Sequence, residues 1–389
     1  MYLTFEQEKM LRGDYGWAIA KAMEIIVRVG EALGAEELVK VEHAHISGIS
    51  YSTIGKYGLE FLRELALRGG KARVFTTVNP GCIDYSGLSK IIDNSLVGYQ
   101  KLIDESLEKM EFKLTYTCIP YFYKPPLPGE HLAWGESSAV IFANSIYGGF
   151  TNREGGPVAL AASLTGYTYK AGLHLLENRV GRIEVKVPTS LLKVPIGAIG
   201  LWIGENIKAI PCICGLRSVL LDEVKSMLAS MAASGSHALA IIDGATPRGT
   251  FRVELEERVE VENSVLENYI GGEYSGSSIL GYIGCPHTSP HELVEIWRLV
   301  RKYGRIRRGK LLVTIPVEFA ELYRDIVLEL KARGVDVATG TCPVVSRFKG
   351  KFDYVLTNSG KALFYIERIH RIKVKLARVE EIVRELSGL

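Results

Sequence analysis

The sequence lacks the features that would mark a disulfide-stapled, strongly charged or membrane-spanning chain. Six cysteines in 389 residues are too few for a disulfide scaffold. Neither sign of charge dominates, because 47 Lys and Arg face 44 Asp and Glu, and a net charge of +3 gives no reason to expect a nucleic-acid partner. The most apolar stretch, residues 194–204, is about half the length of a membrane span, so we expect no membrane association.

Glutamine and targeting signals are also scarce. Only two glutamines occur, Gln7 and Gln100, a bias typical of heat-adapted proteins. The first eight residues contain neither a basic stretch nor an apolar run, so we expect no secretory signal and a cytoplasmic location, where thiols stay reduced. Hydrophobic residues make up 47% of the chain, which favours a globular protein over a disordered one.

Strand-like and helix-like segments alternate along the chain. Strands are predicted at residues 39–46, 71–77, 112–117, 182–187, 209–212, 238–242, 311–315, 335–338 and 353–356. Helices are predicted between Thr4 and Gly34 and at about 50–68, 86–110, 220–233, 290–303, 317–333 and 379–386. The three glycines within residues 194–204 favour a buried strand and turn there. The alternation predicts an α/β fold of mostly parallel sheets flanked by helices.

The loops that follow the predicted strands are rich in groups suited to an anionic ligand. In parallel α/β sheets, ligands bind at the carboxyl ends of the strands. Residues 47–50 offer hydroxyls and backbone N–H groups, and residues 79–81 form a similar turn. Residues 358–361 place Lys361 at a helix N-terminus, which suits a phosphate or carboxylate. Each loop is also compatible with an ordinary turn and helix cap, so none identifies a site alone.

Three cysteines share a local pattern, since each precedes a proline within two residues. They are Cys118, Cys285 and Cys342. Proline stops a strand or helix from continuing, so each cysteine is expected where the chain turns. A single cysteine of this kind is most often a small buried hydrophobe. For three together, metal binding becomes competitive, because the thiolates of an iron–sulfur cluster need only converge in space. Three ligands would leave one iron open, as Lewis-acid catalysis requires.

The remaining candidate ligands give weaker signals. Cys212 and Cys214 could form an alternative ligand pair but are more typical of strand residues, and Cys82 lies in a turn. His43 and His45 share one face of a predicted strand, where cross-strand packing is as good an interpretation as metal binding. His287 and His291 flank Cys285, and we expect them to support ligands rather than to be ligands.

Two polar clusters precede predicted helices or strands. Glu136 stands beside Ser137 and Ser138, ahead of an apolar segment. Residues 151–157 bring four polar side chains before a glycine pair and a proline that starts a helix. The second cluster is dense for ordinary turn chemistry, although a surface loop remains an alternative.

These segments together resemble the large, catalytic subunit of the aconitase X family, a branch of the aconitase superfamily. The resemblance covers essentially the whole chain and is carried by residues 42–50, 76–81, 129–138, 151–157 and 341–344. It implies the multi-lobed α/β arrangement of aconitase without the swivel domain. We expect three lobes around a central site, at residues 1–150, 151–280 and 281–389.

The resemblance also implies a site. Cys118, Cys285 and Cys342 match the positions that hold a 4Fe–4S cluster in the family. The positions that contact substrate in the family match Gly48, Ile49, Ser50, Asn79, Pro80, Glu136, Ser137 and Lys361, of which Glu136 and Ser137 would be catalytic. The partner would be a small subunit made of the swivel domain, which supplies a serine as the catalytic base.

The implied reaction is the loss of water from a hydroxy acid. Two activities are known in the family: dehydration of mevalonate 5-phosphate to trans-anhydromevalonate 5-phosphate in a modified mevalonate pathway for isoprenoids, and dehydration of cis-3-hydroxy-L-proline. The unfused length and the composition favour the first and keep the second as the alternative. A non-catalytic iron–sulfur sensor or electron-transfer protein is the alternative of another class, although such clusters usually have four protein ligands.

Overall fold

Parallel strands form the framework of the chain, which confirms the predicted α/β fold. The computed structural model describes residues 1–216, 219–272 and 276–389. Within these residues the strands form three parallel sheets and one two-stranded antiparallel ribbon. None of the described helices combines the length and apolar composition that crossing a bilayer requires.

The first sheet has three strands in the order β3-β2-β4, and the ribbon pairs β1 with β5. These strands are β1 Leu38–Lys40, β2 His43–Ile46, β3 Phe75–Val78, β4 Leu132–Trp134 and β5 Tyr167–Tyr169. The helices of this part are α1 Phe5–Arg12, α2 Trp17–Ala32, α3 Tyr51–Leu67, α4 Val97–Lys109, α5 Ser137–Phe142 and α6 Gly156–Thr165. Apolar side chains of α2, α3, α4 and α6 pack with the strands into one buried core. The predicted capping box of Thr4 and Gln7 is present at the start of α1.

The second sheet has four strands in the order β8-β7-β6-β9. These strands are β6 Val180–Lys186, β7 Ile210–Cys214, β8 Ile241–Ile242 and β9 Arg252–Glu260. The helices of this part are α7 Ile196–Asn206, α8 Leu221–Ser234 and α9 Asn263–Ile270. Helix α8 is buried along most of its length, because α5, α7 and the following third part of the chain pack against it.

The third sheet has five strands in the order β12-β11-β10-β13-β14, all parallel. These strands are β10 Ile279–Ile283, β11 Lys310–Ile315, β12 Val335–Thr339, β13 Tyr354–Thr357 and β14 Lys373–Leu376. The helices of this part are α10 Pro290–Tyr303, α11 Val317–Leu322, α12 Arg324–Ala332, α13 Gly360–His370 and α14 Val379–Ser387. The predicted lobe boundaries at 150 and 280 stay a prediction.

The strand and turn predicted at residues 194–204 is wrong, because this segment forms helix α7. Its glycines serve helix packing rather than a turn. A Cβ on Gly200 would lie 2.3 Å from the carbonyl oxygen of Met227, and one on Gly204 would lie 2.1 Å from the hydroxyl of Ser234. Both neighbours belong to α8. The glycines therefore let α7 approach α8 more closely than any side chain would allow.

Several other predicted elements are shorter than expected or absent, among them the strands predicted at 71–77 and 238–242, which are confined to β3 and β8. Residues 39–46 form two strands, because the backbone changes partners between them: the N–H of Val41 donates to the carbonyl of Gly166, and the N–H of Glu42 donates to the carbonyl of His131. Residues 112–117 form no strand, only an isolated bridge to β3. The helix predicted from 86 to 110 is confined to α4, since the carboxylate of Asp84 captures the N–H groups of residues 86, 88 and 89 and so holds them in a loop.

Candidate active site

The carboxyl edge of the first sheet gathers three of the predicted loops. Residues 47–50 follow β2, residues 79–80 follow β3, and residues 135–137 follow β4. Backbone hydrogen bonds hold the loops side by side, from Asn79 N–H to Ile46 at 3.0 Å and from Gly135 N–H to His45 at 3.0 Å. Every substrate-contact position predicted before residue 140 therefore lies at one edge of one sheet.

The carboxyl edge of the third sheet supplies the other predicted residues. Cys285 follows β10, Cys342 follows β12, and Lys361 lies in the first turn of α13, after β13. The two edges meet directly: the hydroxyl of Thr341 donates to the carbonyl of Gly81 at 2.8 Å. The two sheets thus present their ligand-binding edges to each other.

The three predicted cluster cysteines are buried and act electrostatically on one another. Burial raises the pKa of all three thiols, that of Cys285 to about 12. Cys342 further raises the pKa of both Cys118 and Cys285. The ammonium of Lys361 opposes these shifts at each cysteine. A metal that replaces the thiol protons removes the cost of burying a thiolate.

His287 joins the three cysteine loops. It follows Cys285 by two residues, and its backbone N–H donates to the Sγ of Cys118 at 3.1 Å. Its ring Nε2 lies 2.9 Å from the carbonyl oxygen of Thr341, the residue before Cys342. Burial lowers the pKa of His287 to about 4, so the ring is neutral and donates from Nε2 to the carbonyl. The supporting role expected for His287 has a geometric basis here.

Lys361 and Glu136 form a buried ion pair that spans the two sheet edges. Glu136 caps α5, where its carboxylate accepts hydrogen bonds from Ala139 N–H at 2.7 Å and from the Ser138 hydroxyl at 2.6 Å. Burial alone would raise the pKa of Glu136, but Lys361 and these donors outweigh it and lower the pKa to about 2. The hydroxyl of Ser137 lies 3.4 Å from both the carboxylate and the ammonium.

A second buried lysine escaped the sequence analysis. Lys225 on α8 pairs with Glu292 of α10, lies 3.5 Å from Asp222, and donates to the carbonyl of His287 at 3.2 Å. Burial lowers the pKa of Lys225, but the two carboxylates outweigh it and raise the pKa overall. One signal was available: Lys225 is the only charged residue between positions 224 and 234 of a helix that is otherwise apolar or small.

His43 and His45 support the first sheet edge. Ring nitrogens of both residues lie 2.8 Å from the same hydroxyl, that of Thr77 on the adjacent strand. Burial lowers the pKa of His45 to about 4, and the nearby carboxylate of Glu136 opposes that shift. This is the cross-strand packing that the sequence offered as one of two interpretations.

Of the remaining predicted loop residues, some have a buried polar atom at the site, and others have a buried apolar side chain. The amide oxygen of Asn358 is buried and accepts no hydrogen bond from the described residues, whereas the side chain of Asn79 interacts with His45. Ser50 is buried and its hydroxyl donates to the carbonyl of Val345 at 3.2 Å. The side chains of Ile49 and Pro80 are buried, and that of Ile49 belongs to the core of the first part.

The other three cysteines, Cys82, Cys212 and Cys214, are not among the predicted ligands. Cys82 donates from its thiol to the amide oxygen of Gln100 at 3.2 Å. Cys212 and Cys214 lie on β7 in the second sheet, where burial and then Glu184 raise the pKa of both thiols. Cys212 and Cys214 therefore lie in a different sheet from the three candidate ligands, whereas Cys82 follows Gly81 at the meeting of the two edges, with its thiol hydrogen-bonded to Gln100.

The residues at the facing edges fit a thiolate-bound cluster better than a single ion. Within the described ranges, no group of three or more His, Cys, Asp or Glu side chains is arranged to hold a metal ion. Each thiolate of a cluster binds a different iron, so its ligands stand further apart than the ligands of one ion. Three buried thiols, a backbone N–H that donates to one sulfur, and the unpartnered amide oxygen of Asn358 suit such a group and a polar ligand beside it.

Comparison with known proteins places the chain. Three family models match it: Aconitase X first domain over residues 1–177, second domain over 181–271 and third domain over 279–388. The crystal structure of Thermococcus kodakaraensis aconitase X in its holo-form matches with a TM-score of 0.89 and 36% identity, over 99% of this chain and 100% of that one. This confirms the aconitase-like arrangement, and the three matched domains leave no stretch of this sequence for a swivel domain.

Curated relatives cover the chain from end to end. The phosphomevalonate dehydratase large subunit of Thermococcus kodakarensis is 37% identical over 99% of this chain and 100% of its own length. That of Methanosarcina mazei is 35% identical over 100% of this chain and 98% of its own length. The cis-3-hydroxy-L-proline dehydratase of Hypocrea jecorina is 29% identical over 93% of this chain and 65% of its own length. The chain therefore belongs to the aconitase X family, whose curated relatives are dehydratases.

Proposed function

We propose that this chain is the large subunit of an iron–sulfur dehydratase that converts mevalonate 5-phosphate to trans-anhydromevalonate 5-phosphate. The observation that carries the proposal is the meeting of three buried thiols with the Lys361–Glu136 pair at two facing sheet edges. Full-length relatives named phosphomevalonate dehydratase support the substrate. In the reaction a C–O bond breaks, the hydroxyl leaves as water, and the neighbouring carbon gives up a proton.

Cys118, Cys285 and Cys342 would hold a 4Fe–4S cluster with one iron free of protein ligands. When bound, such a cluster supplies a Lewis acid that makes a hydroxyl a better leaving group. His287 connects the three ligand loops, because its backbone N–H donates to the Cys118 sulfur and its ring contacts the carbonyl of Thr341, next to Cys342. The hydroxyl of Ser359 donates to the carbonyl of Cys285 and so ties that ligand to the cap of α13.

Lys361 would bind an anionic end of the substrate. Its ammonium lies at the N-terminus of α13, where the helix dipole adds to the positive field, and it is buried where that field is weakly screened. Residues 48–50, at the carboxyl end of β2, would contact another part of the substrate.

Glu136 would orient hydroxyl groups rather than donate a proton. A pKa of about 2 keeps its carboxylate ionised at neutral pH. In that state it accepts from Ser137 and Ser138 and holds Lys361 in place. The buried amide oxygen of Asn358 would accept a hydrogen bond from a hydroxyl of the substrate.

The proton would be taken by the small subunit. The relatives are named large subunits, which implies a small-subunit partner. We assign to that partner a swivel domain that closes over the two sheet edges and brings a serine as the base. Closure excludes water from the site and strengthens the electrostatic contacts within it.

A substrate assay tests the proposal. The chain is reconstituted anaerobically with iron, sulfide and its small subunit, and is offered mevalonate 5-phosphate or cis-3-hydroxy-L-proline. We expect turnover of the first only. Turnover of the proline alone would establish the alternative substrate, and a loaded complex that dehydrates neither would favour the non-catalytic alternative.

A further inference from the structure

The second buried lysine, Lys225, has no part in the proposed chemistry, yet it contacts a loop that carries a proposed ligand. It projects from α8, a helix of the second part, into the third part of the chain. Its ammonium reaches the carbonyl oxygen of His287 at 3.2 Å. The N–H of the same residue reaches the Sγ of Cys118 at 3.1 Å. A single residue thus separates Lys225 from the sulfur.

Lys225 is itself held firmly. Glu292 accepts from its ammonium and also from the N–H of Ser289 at 2.8 Å, within the capping box that begins α10. That helix starts at Pro290, three residues after His287. The ammonium therefore binds the turn between β10 and α10 at two points. It donates to the carbonyl of His287 and to Glu292 of the capping box. In this way Lys225, on α8, fixes the orientation of the His287 backbone, and with it the direction of the His287 N–H.

We infer that Lys225 is a positioning residue for the proposed cluster: by holding the His287 carbonyl it aims the His287 N–H at the Cys118 sulfur, and so sets how tightly that thiolate holds iron. This inference rests on the proposed function, since it assumes that Cys118 is a ligand. Hydrogen bonds to ligating sulfurs tune the reduction potential of a cluster, and residues that orient ligands affect metal retention.

A purely structural role for Lys225 makes a different prediction. Removing the lysine alone leaves the buried carboxylate of Glu292 without its cation, which destabilises a protein whatever the lysine does for iron. The double variant Lys225→Met/Glu292→Gln removes both charges and keeps a side chain that can serve the capping box. It separates the two roles, because it restores the folded state without restoring the hold on His287.

The test compares the full chain, complexed with its small subunit and loaded anaerobically, as wild type, as the double variant and as Lys302→Met. The last removes a surface lysine near the C-terminal end of α10, which pairs with Glu380. Iron and sulfide are measured first, and then the rate of iron release to a chelator, the reduction potential and the melting temperature. If the double variant does not load, Lys225→Leu/Glu292→Gln, which also removes both charges and the N–H donor, takes its place in the same comparison.

We expect the variant to melt near the wild type, to release iron about 10–100-fold faster and to have a more negative potential, with Lys302→Met unchanged. A variant that releases iron at the wild-type rate with the wild-type potential would overturn the inference and leave the proposed function intact. A wild-type chain without iron and sulfide would overturn the proposed function, and the inference with it.

Discussion

Among the residues that the structure describes, two lysine–glutamate pairs are buried, and the surroundings of their carboxylates differ. Glu136 receives Lys361, two serine hydroxyls and a backbone N–H, and its pKa falls to about 2 despite burial. Glu292 accepts hydrogen bonds from Lys225 and from the N–H of Ser289, but Asp222 lies close by. Burial and this second carboxylate raise the pKa of Glu292. Both carboxylates are buried, so the opposite signs follow from the additional donors at Glu136 and from the second carboxylate beside Glu292.

The contrast fits the different tasks of the two regions. The pair at the facing sheet edges holds a fixed negative and a fixed positive charge beside the proposed substrate, and neither charge changes near neutral pH. The pair behind the cysteine loops joins α8 to α10 and touches no predicted substrate residue. The Lys361–Glu136 pair is arranged to present charge to a ligand, whereas the Lys225–Glu292 pair is arranged to hold the backbone of the loop after β10.

The largest effect is expected from Lys361→Met. The change removes the proposed anchor for the anionic substrate and leaves Glu136 buried without its cation. Activity should fall by about 10²–10³-fold, and the free energy of unfolding by about 3–5 kcal/mol. Kinetics with mevalonate 5-phosphate and denaturant unfolding measure the two effects. Lys361→Met/Glu136→Gln should recover most of the stability and none of the activity; recovered activity would show that the pair only stabilises the fold.

Lys225→Met should destabilise the chain by a similar amount, about 3–5 kcal/mol, because Glu292 then lacks its cation. Denaturant unfolding of the iron-free chain measures this without any contribution from bound metal. The Lys225→Met/Glu292→Gln double variant should regain most of the loss. If the single variant were as stable as the wild type, the buried pair would not contribute as the geometry indicates.

The pH dependence of stability should have opposite signs at the two carboxylates. The pKa of Glu136 is lowered from 4.5 to about 2, so its contribution is present above pH 4.5 and is lost as the pH falls towards 2, about 3 kcal/mol in all. The pKa of Glu292 is raised above 4.5, so its contribution is present below that pH and is lost as the pH rises through the folded value.

Unfolding of the iron-free chain between pH 2.5 and 7 tests this contrast. Relative to the wild type, Glu136→Gln should flatten the loss of stability on acidification, whereas Glu292→Gln should flatten the loss on raising the pH. Equal slopes for the two variants would mean that the carboxylates share one environment, contrary to the hydrogen bonds described above.

The smallest effect is expected at the surface. Lys302 pairs with Glu380 at 2.8 Å, but both side chains are about half exposed, so solvent and salt screen the pair. Lys302→Met should leave the unfolding midpoint, iron content and activity unchanged. A measurable loss at this exposed pair would undermine the argument that burial gives the other two pairs their effects.

Local signals in the sequence predicted the elements whose ends are set locally. Helix α10 has the predicted bounds because Ser289, Pro290 and Glu292 specify its start within four residues. Helix α7 was mistaken for a strand because its glycines serve contacts with α8, about 30 residues later, which no local pattern reveals.

The candidate site shows the same division. The loops after parallel strands could be found from the sequence, since a strand end and a polar loop are local features. The pairing of Lys361 with Glu136 joins residues 225 positions apart and depends on how the first and third sheets face each other. Lys225 was missed for the same reason, because its partners His287 and Glu292 lie on another part of the chain.

A scan of all six cysteines tests the central claim most directly. Each is changed to serine in turn, each variant is loaded anaerobically, and iron and sulfide are measured per chain. Cys118→Ser, Cys285→Ser and Cys342→Ser should each lose the cluster, whereas Cys82→Ser, Cys212→Ser and Cys214→Ser should keep the wild-type iron and sulfide. Full retention in any of the first three, or loss in Cys212→Ser or Cys214→Ser, would contradict the assignment of the ligands to the facing sheet edges.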